Sequence, residues 1–158
     1  MKRLGTLVLV VLVAAACGSG SAAPRESVGL FMTRILREEI NGQWSKQWNE
    51  LTPGHQKLIT RSQYVACSRA MGTNIGNGKE VFRVLAVQND PIHVTGVPQK
   101  TAKLVTISFR RPGIAPLTYR LHAVAVGGRW TWILGNAFIT QVEHGRCLDG
   151  SRLPTTSS

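Results

Sequence analysis

The sequence predicts an α+β domain in which N-terminal helices pack on a curved antiparallel sheet of about four strands. Three observations carry this prediction. Apolar residues recur at helical spacing from about Glu26 to Gly72. Beyond Gly72 the period falls from about 3.6 to about 2, the repeat of a strand whose side chains alternate between faces. The later half is also punctuated by turn dipeptides, Pro112-Gly113 and Gly127-Gly128. Helices first and a meander of strands afterwards is the α+β order, with the helices covering one sheet face.

The elements follow in turn. Val28, Phe31, Met32, Ile35, Leu36 and Ile40 form one apolar face of a first helix, opposite Arg34, Arg37 and Glu38, and Asn41-Gly42 stops it. Trp44, Trp48 and Leu51 repeat the spacing in a short second helix. Pro53 suits the first turn of a third, because its missing N–H would have no partner there. Thr60 to Gln63 reads as a capping box that opens a fourth helix, with Tyr64, Cys67 and Met71 on one face and Gly72 at its end. A first strand is expected over Glu80 to Gln88, ended by the turn signal Asn89-Asp90-Pro91, with a short extended piece from Ile92 to Gly96. Ala102 to Arg111 and Leu117 to Val126 read as the next strands, and a last long strand is expected from Arg129 to about Thr140. On the third of these, Leu117, Tyr119, Leu121 and Ala123 share one face while Arg120 and His122 lie on the other.

The N-terminus reads as an address. Lys2 and Arg3 precede an apolar run to Ala16 that is too short for a bilayer core, which takes roughly 20 helical residues. It fits a secretory signal peptide over residues 1–16, and Val13-Ala14-Ala15-Ala16-Cys17 resembles a bacterial lipobox, with Ala14 where Leu is usual. Plain secretion with Cys17 incidental, or an uncleaved anchor, are the competing readings. Lipidation at Cys17 places the protein on the outer face of the bacterial plasma membrane. Residues 17–24 then form a flexible tether, residues 25–149 a single domain, and residues 150–158 a disordered tail. With Lys2 and Arg3 removed, 17 basic residues face 8 acidic ones, a net charge of +9. In an exported protein such charge points to anionic lipid or anionic wall polymer rather than to nucleic acid. Setting Cys17 apart leaves Cys67 and Cys147 as an even pair, read as a disulfide in an oxidising compartment.

The element order resembles the nuclear transport factor 2-like fold, a cone-shaped module shared by ketosteroid isomerases and many non-enzymatic proteins. More closely, Trp48, Leu51, Pro53, Gln56 and Cys67, then "VTGVP…TAKLVTISF", "VGGRWTWIL" and Gly145 to Cys147 are similar to a group of small exported actinobacterial proteins with that fold. The resemblance spans roughly Val28 to Cys147. Its motifs are structural, and one fold serves many purposes.

Chemistry on this fold would need a base inside the cone with donors beside it. Glu26, Glu38 and Glu50 read as helix-surface acids, Asp90 lies in a turn and Asp149 near the tail, while nothing in its spacing requires Glu39 to turn inward. His122 is the candidate general base, with Tyr64 or Tyr119 as donors. His55, His93 and His144 lack ligand spacing, so no metal site and no cofactor are expected. "GTNIGNGKE" has Glu80 where a phosphate loop needs Ser or Thr, and reads as a turn. Trp44, Trp48, Tyr64, Tyr119, Trp130 and Trp132 are the candidate lining of an apolar pocket, or the filling of a core. The expected function is therefore a non-enzymatic, membrane-anchored binding module. Two alternatives stand beside it: a small isomerase- or cyclase-like enzyme using His122, and a subunit that docks through its sheet as a homodimer or onto another envelope protein.

Overall fold

The computed structural model describes residues 23–72 and 76–153. The expected signal peptide, Cys17, most of the tether and residues 154–158 of the tail lie outside the described residues.

Helix α1 spans Val28–Ile40 and buries Phe31, Met32, Ile35 and Leu36 along one face, as their spacing requires. The Ser27 hydroxyl caps it by accepting the Leu30 amide at 3.3 Å. Helices α2 (Trp44–Asn49) and α3 (Pro53–Leu58) follow, the latter with Thr52 as N-cap and Pro53 in its first turn. Helix α4 (Arg61–Ala70) opens on the full capping box between Thr60 and Gln63.

Strands β1 (Val81–Pro91), β2 (Thr101–Arg111), β3 (Ile114–Val126) and β4 (Arg129–Ile133) form one antiparallel sheet in the order β1-β2-β3-β4. Gly127 and Gly128 join β3 to β4 with φ of 56° and 75°. Both values lie in the left-handed region that a two-residue hairpin of this kind demands, so glycine is needed at each. Helix α1 packs on the face of the sheet that carries Val105, Ile107 and Ala123, and the main core lies between them. The opposite face is covered over one half only. There Ile92 and Val97, from the loop joining β1 to β2, pack on Ala102, Val124 and Ile133.

Three expectations are corrected. The turn signal Asn89-Asp90-Pro91 does not end β1, because these residues pair with Lys103, Ala102 and Thr101. Pro91 is tolerated since β1 is an edge strand, where a missing N–H removes no ladder bond. Ile92 to Gly96 is accordingly loop and not a strand. The last strand stops at Ile133, and residues Asn136–Glu143 form a fifth helix, α5. Phe138, Ile139 and Val142 are its buried face, a helical spacing inside a stretch rich in strand formers. Finally, the chain from Gly150 to Leu153 folds back rather than trailing away. The Cys147 amide donates to Ser151 O at 2.8 Å and the Leu153 amide to Gly145 O at 2.9 Å.

Cys67 and Cys147 are joined in a disulfide, with Cα atoms 5.1 Å apart. It ties α4 to the segment after α5, across 80 residues of sequence.

Candidate functional site

Strand β4 pairs only with the stretch His122 to Val126, so the earlier part of β3 has no strand on that side. The chain then leaves the sheet at Leu134 and Gly135 and enters α5. The gap is a cavity of about 640 Å³, open to solvent on one side. It is walled by Ile35, Leu36 and Glu39 of α1, by Tyr64, Ser68 and Met71 of α4, and by Tyr119 and Leu121 of β3. Trp132 of β4, Ala137 and Phe138 of α5, and Leu148 also line it, as do Arg120 and His122 of β3. Its size falls in the roughly 300–1,000 Å³ range of small-molecule sites, and its wall is mostly apolar.

The polar groups of the wall are few and fixed. The Tyr64 hydroxyl donates to the buried Gln47 Oε1. The Gln47 amide is held in turn, its Nε2 donating to Ile35 O at 3.2 Å while its backbone carbonyl accepts the Trp132 indole N–H at 3.0 Å. Trp132 and Phe138 pack around the Tyr64 ring, with centroids 6.2 Å and 5.9 Å away. Burial holds the Tyr64 phenol well above the usual tyrosine range, and the charge of Glu39 adds to the effect. The Tyr119 phenol is raised by the same two causes in the same order. Glu39 thus stands near both hydroxyls, which remain protonated hydrogen-bond donors at neutral pH.

Of the six aromatic residues expected around a pocket, Tyr64, Tyr119 and Trp132 line the cavity, and Trp44, Trp48 and Trp130 do not. Trp48 donates its indole N–H to Ile59 O at 3.0 Å beneath the Arg61 guanidinium, which bridges the second helix to the fourth. Trp44 is buried under Arg69. Trp130 donates to Glu26 O at 2.8 Å, pinning the start of the domain to β4. These three are packing residues.

His122 lies at the edge of the cavity on β3, but register turns its ring the other way. His122 stands opposite Leu104 and Ile133, whereas its neighbour Ala123 belongs to the core under α1. On the outer face its Nε2 meets Asp90 Oδ2 at 2.7 Å. Asp90 is there because β1 continues through the supposed turn and sets it opposite Ala102. His122 thus stands at the β3 edge of the cavity with its Nε2 engaged by Asp90. The inward carboxylate is Glu39, which sequence spacing left undecided.

The remaining acids and histidines have structural roles. Glu26, Glu38 and Glu50, read as scattered surface acids, converge on Arg34 at 3.2, 3.5 and 3.0 Å. Burial raises the Glu38 carboxyl above its ordinary value, against the pull of Arg34. His55 is fully buried. Its Nδ1 accepts the Leu134 amide at 3.1 Å and its Nε2 lies 3.0 Å from Thr95 O, so the ring is neutral with its proton on Nε2. Beside it, a side chain at Gly54 would place Cβ 1.7 Å from Gly96 O, so the helix and the outer loop touch backbone to backbone. "LTPGHQ" thus serves as a packing motif, with Gln56 Nε2 donating to Trp48 O and Asn49 O.

Among the described residues no three His, Cys, Asp or Glu side chains are grouped to hold a metal ion, and no helix is long and apolar enough to cross a membrane. Comparison with known proteins returns no match to a family model, to a curated protein or to a solved structure.

Proposed function

We propose that this chain is a non-enzymatic lipoprotein, anchored through Cys17 at the outer face of a bacterial plasma membrane, whose nuclear transport factor 2-like cone binds one apolar ligand. The observation that carries the binding reading is the 640 Å³ cavity, walled by Ile35, Leu36, Trp132 and Phe138 and left open by the early end of β4. Four tryptophans could have filled the cone, and only Trp132 reaches it. Glu39 beside the two tyrosines favours a neutral or cationic donor, such as a hydroxyl, at the polar end over a carboxylate, against the pull of Arg120, which also lines the cavity.

The test is titration with Nile red, a neutral apolar dye, followed by competition with a long-chain alcohol and the matching fatty acid. The expected result is one saturable site from which the alcohol displaces the dye better than the acid. Ala137→Trp projects bulk into the cavity from α5 and should weaken dye binding at least tenfold with the melting temperature unchanged. Unaltered binding in that variant would place the dye elsewhere and end the reading.

A small isomerase or cyclase is favoured by one observation: Glu39 near two protonated phenols is a base with donors beside it. That reading requires exchange of the α-proton of an apolar ketone in D2O, present in the native protein and lost in Glu39→Gln. No exchange above buffer rejects it.

A further inference from the structure

The half of the outer sheet face that the β1–β2 loop leaves open carries a charge pattern of which only Arg120 also lines the cavity. Across the four strands there are six Arg or Lys residues and one acid, Asp90. Asp90 is engaged by His122 at the margin of the covered half. Glu80, just before β1, is drawn to the Asn77 amide and to Arg111. Register sorts the rest. Arg83 stands opposite Ser108, which stands opposite Thr118. One same-face row further on, Ala86, Thr106 and Arg120 are aligned, and Arg110 faces Val81 at the other end. Residues directly opposed in an antiparallel ladder share a face. Arg83, Arg110 and Arg120 therefore emerge together from the outer face, with the hydroxyls of Thr106, Ser108 and Thr118 between them. All three arginines are exposed, and among the described residues no carboxylate lies within ion-pair distance of any of them.

A guanidinium is a planar fork suited to phosphate oxygens, and several on one flat face suit a surface of phosphates better than a single ion. The same end of the sheet exposes apolar side chains. Val81, opposite Arg110, is 61 % exposed, and Leu85, at the β1 bulge, is 53 % exposed. A hydrophilic polymer offers nothing to these two residues, whereas a headgroup layer offers both phosphate and acyl chain.

We propose that Arg83, Arg110 and Arg120, flanked by Val81 and Leu85, dock the domain flat against an anionic phospholipid surface. The inference builds on the membrane location proposed above and not on ligand binding. Since Arg120 also lines the cavity, dye binding is measured in the native protein, where failure of vesicle binding would leave it untouched. A domain held this way carries its sheet toward the headgroups and its helices away from them.

The experiment uses the processed chain, residues 17–158, with Cys17→Ser so that no lipid is attached. Co-sedimentation is measured with vesicles of phosphatidylcholine alone and with 30 mol% phosphatidylglycerol, at low and at 0.5 M salt. Binding is expected only to the anionic vesicles, weakened by salt. The triple variant Arg83→Gln/Arg110→Gln/Arg120→Gln should lose on the order of 100-fold in affinity, at about fivefold per guanidinium. Removing equal charge elsewhere, with Lys46→Gln/Lys57→Gln/Arg152→Gln, should lose less than tenfold. Val81→Ser/Leu85→Ser should weaken vesicle binding while leaving binding to soluble poly(glycerol phosphate) unchanged. Melting temperatures of all variants confirm that they are folded. Equal losses in the two triple variants would overturn the proposal in favour of diffuse charge. Binding to the polymer but not to the vesicles would overturn it in favour of a wall polymer.

Discussion

One imidazole, that of His55, joins three separate stretches of chain: α3, the outer loop at Thr95 and the exit from β4 at Leu134. Such a ring works only while neutral, since Nδ1 must accept a proton and cannot also carry one. Burial accordingly lowers its pKa below the ordinary value of 6.5, against the opposing bond to Thr95. The unfolded chain takes up a proton at ordinary histidine pH while the folded chain resists. Stability is therefore complete above about pH 6.5 and falls as pH drops toward the lowered value, by at most about 1.4 kcal/mol per pH unit. Glu38 acts with the opposite sign, because its raised pKa gives stability that is present at low pH and lost as pH rises through it. Thermal melts of native protein and His55→Gln between pH 7.5 and 5.0 separate the two. The native melting temperature should fall with acidity, and the variant, though less stable throughout, should lose that slope. A slope that survives the substitution would assign it to another group.

Among the elements, α5 and the long β1 are the ones that create the site. β1 carries Asp90 past a turn signal to His122, and α5 replaces the end of the expected last strand, leaving the gap beside β3. The break at Ile133 has a local cause: the next amide, of Leu134, is taken by His55, and Gly135 then caps the helix. The disulfide fastens this arrangement, because α5 is followed almost at once by Cys147. Closing a loop of 80 residues restricts the unfolded chain by roughly 4 kcal/mol. The variant Cys67→Ala/Cys147→Ala should melt roughly 10–20 °C lower, and reductant should lower the native protein to about the same point. The variant should also loosen dye binding, since Tyr64, Phe138 and Leu148 lie on the two segments that the bond unites. A melting temperature insensitive to both changes would show that the bond adds nothing to stability.

For the whole molecule, the lipid proposed at Cys17 and the docking proposed for the basic sheet face would be two distinct attachments. Cys17→Ala in the intact chain should abolish labelling with a radioactive fatty acid. It should also release the protein from membranes washed at 0.5 M salt, which removes the electrostatic contact. Retention after that wash with labelling unchanged would refute the lipoprotein.

The local rules of the chain were legible without the fold. Helix α1 was readable from its apolar spacing, α4 from Thr60 and Gln63, the β3–β4 hairpin from two glycines, and the disulfide from cysteine count and the compartment the N-terminus leads one to expect. Each depends on neighbours in sequence or on simple pairing arithmetic. The site was legible only in part. Tyr64, Tyr119 and Trp132 were expected in it and line it, but Trp44, Trp48 and Trp130 look equivalent in sequence and are sorted out only by how the helices and β4 pack. His122 was already read onto the face opposite Tyr119, yet Asp90 beside it and the inward turn of Glu39 depend on strand register and helix docking. The sequence by itself determined helices α1 to α4, the body of the four strands and which residues are apolar, but not α5, whose residues read equally well as strand. Tertiary structure alone decided which apolar surface stays unfilled, because a cavity is what remains after elements distant in sequence have packed, and no local pattern encodes it.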